Sequence, residues 1–274
     1  MFDLTFIERG IIAAIIVGWM APLVGVLLTV RRSTVISESL SHVTLTGISA
    51  GVLLAQAIEF ISVNPLYMGF VFALAGSLII EKLRQVFFSF QELAAPIILS
   101  AGVGLSAVIM SASPSGYGEW YDYLFGSIVS VSNSDLTFII VTGGFVLLLY
   151  ILFFKEFISV SFDQEFAKVT GVSIKKTNFL FSLLVALIIS MSMKVVGILL
   201  AGALISLPAA ASLKAAKSFK QVLLFSVIAG EMAVLAGVYF SYQYDIATGG
   251  MIVVAAMSIL LAVIGFKRLT FRSQ

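Results

Sequence analysis

Runs of about twenty apolar residues recur along this chain, each closed by a short polar or basic stretch. That rhythm predicts helices that cross a hydrocarbon core. About nine are expected, with eight possible: Gly10 to Val30, Val35 to Ala57, Leu66 to Ile80, Ala94 to Ala112, Leu136 to Phe154, Asn178 to Met193, Val195 to Leu213, Val222 to Tyr242 and Met251 to Phe266. The polar stops include Arg31-Arg32, Glu59 with Asn64-Pro65, Glu81 to Arg84, Ser113 to Tyr123, Lys155 to Lys176 and Asp245. Little more than Lys194 divides the sixth run from the seventh. Leu124 to Val131 is apolar but too short to cross. It reads as a re-entrant or interfacial piece, with Trp120, Tyr121 and Tyr123 at headgroup depth.

The second run breaks the pattern. One face of it carries Glu38, His42, Thr46 and Ser49, and the opposite side carries Ile36, Leu40, Val43 and Leu54. Residues four apart share a helix face, so Glu38 and His42 form a pair on a polar stripe. His42 is the only histidine of the chain. A carboxylate and an imidazole inside a bilayer are costly unless they pair or bind something. Three readings stand open from spacing alone: metal contact through one oxygen and one nitrogen donor, as zinc or manganese accept; a structural polar pair; and a proton relay.

Composition narrows the class. The chain is 60% hydrophobic and 11% charged, against about 45–50% and 25% for soluble domains. A polytopic all-α membrane bundle follows, as a single domain over residues 1–274. There is no cysteine, which excludes disulfides, thiolate metal sites and a catalytic thiol. The first 30 residues read as a span and not as a cleaved leader. Placing Arg31-Arg32 in the cytoplasm and alternating sides puts 14 of the 16 Lys and Arg inside, leaving Arg9 and Lys194 out. The positive-inside rule then predicts an external N-terminus and a cytoplasmic C-terminus.

Three further segments carry candidate chemistry. In the cytoplasmic stretch Ser161 to Lys176, Asp163 is placed to cap a short helix, Glu165 lies in its first turn and Gly171 can end it. That helix is either an ordinary connector or a docking element. Pro208 in the seventh run predicts a kink, and Ala201, Gly202 and Ala203 before it make a smooth packing face. Glu231, midway along the eighth run, is a secondary intramembrane polar candidate. Absent are a phosphate-binding P-loop, a zinc-protease motif, a serine-nucleophile elbow and an arginine array. The chain therefore reads as no enzyme, and nothing in it suggests nucleic acid.

Five segments in order resemble the membrane permeases of ABC-type metal importers: Leu28 to Gly47, Tyr123 to Leu136, Lys155 to Gly171, Val196 to Ala211 and Ser241 to Val254. In that family an acidic residue and a histidine four apart are metal ligands of the translocation pathway. The resemblance gives this role to Glu38 and His42, with Glu38 standing where Asp is usual. The family's ATPase-coupling loop is similar to the segment holding Asp163, Glu165, Ala167 and Gly171. Ala247 stands where the family often has proline.

The resemblance implies a bacterial cytoplasmic-membrane permease that works by alternating access. Two copies would pair, with cytoplasmic ABC ATPase subunits beneath them and an extracellular metal-binding protein above. No cofactor is implied to be permanently bound; Zn2+ or Mn2+ is the transported substrate. Ser37 and Thr46 are similar to the zinc-importing branch, so zinc is favoured over manganese. The rivals are a proton-coupled secondary transporter using Glu38, His42 and Glu231, a membrane scaffold or receptor, and a membrane enzyme.

Overall fold

The computed structural model describes residues 4–57, 65–112 and 122–271. Among them every regular element is helical: α1 (Phe6–Val30), α2 (Val35–Ala57), α3 (Pro65–Val86), a 3-10 turn (Phe88–Leu93), α4 (Ala94–Ala112), α5 (Asn133–Leu152), α6 (Phe154–Phe162), α7 (Gln164–Val169), α8 (Ile174–Val196), α9 (Ile198–Ala215), α10 (Phe219–Tyr244) and α11 (Thr248–Phe271). Eight of these helices are long and apolar enough to cross a membrane. Helix α2 is as long, at 23 residues, and is not in that set. With α2 included, every run read as a span is a helix. Glu59, Asn64, Trp120 and Tyr121 lie outside the described residues.

Several helix ends are set by side chains. Thr5 and Glu8 form a reciprocal capping box at the start of α1, as do Ser132 and Asp135 at the start of α5. Each box satisfies amide groups that a helix N-terminus leaves free. Two boundaries differ from the sequence reading. Lys194 lies in the last turn of α8, and the break falls at Gly197, whose φ of +85° suits glycine. The polar stretch after α5 holds two short helices, α6 and α7, where one was expected. Pro208 sits inside α9, which continues through it as one helix.

Helices α1 and α8 are largely buried, and α11 is largely exposed. Small residues let the helices approach closely. Gly25 of α1 lies against the Ile205 carbonyl of α9, Gly230 of α10 against Pro22 of α1, and Gly76 of α3 against Val43 of α2. Successive long helices alternate in direction, so Arg31, Arg84 and α7 share one end of the bundle, here termed the arginine end.

At the other end, residues 122–131 form a cap and not a span. One turn of helix at 122–125 leads into irregular chain, and Ile128 and Val131 are buried. The Ser127 amide donates to the Lys194 carbonyl at 2.9 Å. Here three glycines meet. A Cβ on Gly126 would come within 2.5 Å of the Val195 carbonyl, and one on Gly249 would overlap the Val196 carbonyl. Gly197 is closed in by the backbone of residues 124–126. The Lys194 ammonium lies 3.8 Å from the Asp135 carboxylate and 4.6 Å from the Tyr123 ring centroid.

Candidate functional site

Helix α2 sets Glu38 and His42 on one face, one turn apart. His42 Nε2 lies 3.6 Å from Glu38 Oε1, a charge contact when the imidazole is protonated and longer than a hydrogen bond. Each residue meets a different neighbour. Glu38 Oε2 lies against Gly202 of α9, where any side chain would collide with it. His42 is pressed on Gly102 of α4, whose Cβ would stand 3.0 Å from the His42 carbonyl carbon. Thr46 secures the same seam by donating to the Gly102 carbonyl at 2.9 Å, and Ser39 donates to the Ala95 carbonyl at 2.8 Å.

Of the remaining hydroxyls of α2, Ser49 is buried without a hydrogen-bond partner among the described residues, and three are quiet. Ser37, Ser41 and Thr44 are buried and donate to carbonyls one turn back. Such bonds satisfy a polar side chain without a partner helix. The chemistry of α2 therefore rests on the carboxylate and the imidazole. The His42 side chain is 15% exposed and that of Glu38 is 42% exposed, so the pair is open on one flank. Among the described residues no group of three or more His, Cys, Asp and Glu is gathered. One chain thus offers two donors, half of the four that zinc takes in a closed site.

Glu231 is not brought to this pair. Its Oε2 lies against Gly18 of α1, buried and without a hydrogen-bond partner among the described residues.

At the arginine end, Asp163 caps α7 by accepting from the Phe166 amide at 2.9 Å. Gly171, with φ +86°, closes it: its amide donates to the Lys168 carbonyl, and the Val172 amide donates to the Ala167 carbonyl. This 5→2 and 6→1 pairing is a Schellman stop. Ala167 is fully buried, whereas Phe166 and Val169 are exposed. Helix α7 is therefore a short, defined knob whose outer surface mixes Phe166 and Val169 with the exposed polar residues Gln164, Glu165 and Lys168.

Residues read only as topology markers also have structural partners. Arg31 donates from Nε to Ser161 Oγ of α6 at 2.8 Å and from Nη1 to Asn178 Oδ1 of α8 at 3.2 Å. Its guanidinium carbon stands 3.9 Å from the Phe181 ring centroid. Burial, aided by the neighbouring charge of Arg84 and opposed by Glu81, pulls its pKa down to about 10, so it stays charged at neutral pH. Arg31 thus ties the turn that leads into α2 to the α6–α7 element. Gly202 is the other residue that sequence reasoning placed only by packing. The glycine in a small-residue run was a visible signal, but its partner was not.

Comparison with known proteins agrees with this architecture. The chain is 27% identical over 268 residues to a probable metal transport system membrane protein of Treponema pallidum, covering 98% of each chain. It is 29% identical to the manganese import system permease protein ScaB of Streptococcus gordonii, over 95% of this chain and 91% of that one. A solved structure of PsaBC from Streptococcus pneumoniae in complex with Fab superposes with a TM-score of 0.82 at 27% identity, covering 95% of this chain and 91% of that one. The profile of the ABC 3 transport family matches residues 3–267, and the chain belongs to that family.

Proposed function

We propose that this chain is the permease subunit of an ATP-driven importer of divalent transition-metal ions, with Glu38 and His42 as ligands of the passing ion. The observation that carries the reading is the half-open pair on α2: one carboxylate and one imidazole, 3.6 Å apart, with no third ligand gathered within the described residues. A second copy facing the first would complete a set of two carboxylates and two imidazoles. That set suits zinc, and it suits manganese with added waters. The arginine end faces the cytoplasm, where α7 docks the ATPase. A metal-binding protein delivers the ion at the other end, and transport proceeds by alternating access.

The nature of the cargo rests on two lines of support. Ser37 and Thr46 lean toward zinc, while the name of the Streptococcus gordonii relative carries manganese. The donor set accepts both ions, so competition decides between them. The separate neighbours of Glu231 and of the Glu38–His42 pair, together with family membership, favour this reading over a proton relay through all three residues.

The test is uptake in cells stripped of their own importers, carrying this chain with its ATPase and capture protein and offered labelled zinc and manganese together. Uptake lost in His42→Ala, with the protein still in the membrane, supports the importer and its site. Preference for manganese keeps the mechanism and settles the cargo against zinc. Unchanged uptake in His42→Ala returns the pair to a structural role. A cysteine crosslink scan of α2 that yields no dimer near His42 removes the paired site.

A further inference from the structure

Three arginines converge at the arginine end, around a cavity whose own lining holds no carboxylate. A cavity of about 240 Å³ beneath the α1–α2 turn is lined by Arg31, Arg32, Arg84, Ser33, Ser161 and Asn178, among others, and none of its lining residues is acidic. It has room for several waters. Arg31 is held rigidly by Ser161, Asn178 and Phe181, yet its Nη2 is buried and has no hydrogen-bond partner among the described residues. Glu81, which accepts from Asn178 at 3.5 Å, lines a neighbouring small cavity with Arg31 and Arg84 and is outside the lining of this one. A larger adjoining cavity shares the same three arginines and reaches Glu92.

The backbone adds to the case. Helix α1 ends in a Schellman stop, with the Arg32 amide donating to the Thr29 carbonyl and the Ser33 amide to the Leu28 carbonyl. Its left-handed position, φ +53°, is filled by Arg32, where glycine is usual. An arginine held in that conformation supplies a cation at a backbone cost that glycine would avoid. The Ser33 and Ser161 hydroxyls are spent on the Arg31 and Phe157 carbonyls, so recognition falls to the guanidinium groups, Arg31 fixed among them. Clustered guanidinium groups are the chemistry that recognises phosphate.

We infer that this cavity binds a phosphate group, supplied either by an anionic lipid headgroup or by a soluble phosphate. The site lies between the turn that enters α2 and the α6–α7 element, so its occupant braces the two against each other. The inference does not depend on which cargo the protein carries.

The experiment uses the full chain in phosphatidylcholine nanodiscs. Its thermal midpoint is followed against added inorganic phosphate, with chloride at matched ionic strength as the control. A second arm replaces part of the lipid with phosphatidylglycerol and adds no phosphate. The variants are Arg84→Gln and Arg32→Gly, the latter removing the cation while suiting the left-handed backbone.

A rise of about 3 °C at tenfold excess of ligand over its Kd is expected in the wild type, falling at least threefold in both variants. A rise with inorganic phosphate identifies a soluble ligand; a rise with phosphatidylglycerol alone identifies a headgroup. A rise that chloride matches, or that both variants retain, overturns the proposal. No rise in either arm overturns it too. If the variants then shed the ATPase from the assembled transporter, the arginines serve an acidic partner surface instead.

Discussion

Replacing Gly202 with alanine tests the position of one carboxylate. A Cβ at residue 202 would overlap Glu38 Oε2 and stand 3.5 Å from its Cδ, while the Glu38 Cα is 3.8 Å away. The nearby backbone therefore has room, and only the carboxylate must yield. Restoring an ordinary C···O separation of about 3.4 Å requires a retreat of roughly 1 Å. Glu38 can make it, because its side chain is 42% exposed. Alanine also suits a helix interior better than glycine by about 0.5–1 kcal/mol, so the thermal midpoint should equal or exceed that of the wild type. Metal coordination is less forgiving, since ligand distances hold to within about 0.2 Å. High-affinity uptake should fall about 10–100-fold, the range seen when ligand-supporting groups are lost. The assay is initial-rate uptake of labelled metal at limiting concentration, normalised to protein in the membrane. Gly104→Ala, whose Cβ would meet nothing within 4 Å, is the control and should be silent. Wild-type uptake by Gly202→Ala would refute the reasoning, because the seat of Glu38 on α9 would then be irrelevant to the cargo.

Other substitutions probe the rest of the frame. Gly249→Ala would drive a methyl into the Val196 carbonyl, with the Phe125 carbonyl also in its way. It should cost about 3 kcal/mol, read as a lowered thermal midpoint of the purified protein. Lys194→Met removes the ammonium from Asp135, in a pair whose side chains are both mostly buried. A loss of about 3 kcal/mol is expected, and adding Asp135→Asn should recover part of it in the same measurement. Asp163→Ala removes the cap of α7, worth about 1 kcal/mol locally. Metal-stimulated ATP hydrolysis by the assembled transporter should drop, while the permease keeps its midpoint.

The spans were legible because a bilayer demands apolar runs of fixed length, and the chain punctuates them with charge. The Glu38–His42 pair was legible because four-residue spacing is a local property of a helix. So were the ends of α7, written by Asp163 and Gly171 within one short stretch. The partners were not legible. Gly202 meets Glu38 through the packing of α9 on α2, and no local pattern encodes that. Lys194 misled the reading of the α8–α9 boundary: a charge in an apolar run looks like a turn, but Asp135 and Tyr123 let it stay helical. Gly197, less conspicuous, makes the actual break. Arg31 looked like a stop signal for α1 and is also a three-way tie among α6, α8 and the start of α2.

The seat of Glu38 also has a consequence for synthesis. Gly202 leaves the ribosome about 160 residues after Glu38, roughly 8–30 s later at bacterial or eukaryotic elongation rates. Gly102, which holds His42, emerges in between. During that interval α2 carries a carboxylate on its flank with no α9 to cover it. Glu38 stands in the first turn of α2, where an unpaired acid costs less than the roughly 3 kcal/mol of a mid-span position on the translocon's own scale. Helix α2 is thus a deferred span: it is held by α3 and α4 while the second half of the chain is made, and it becomes a settled transmembrane element only when α9 arrives. A chain cut short before residue 198 would leave this helix, and the Glu38–His42 pair it carries, exposed to the insertion machinery and to membrane proteases.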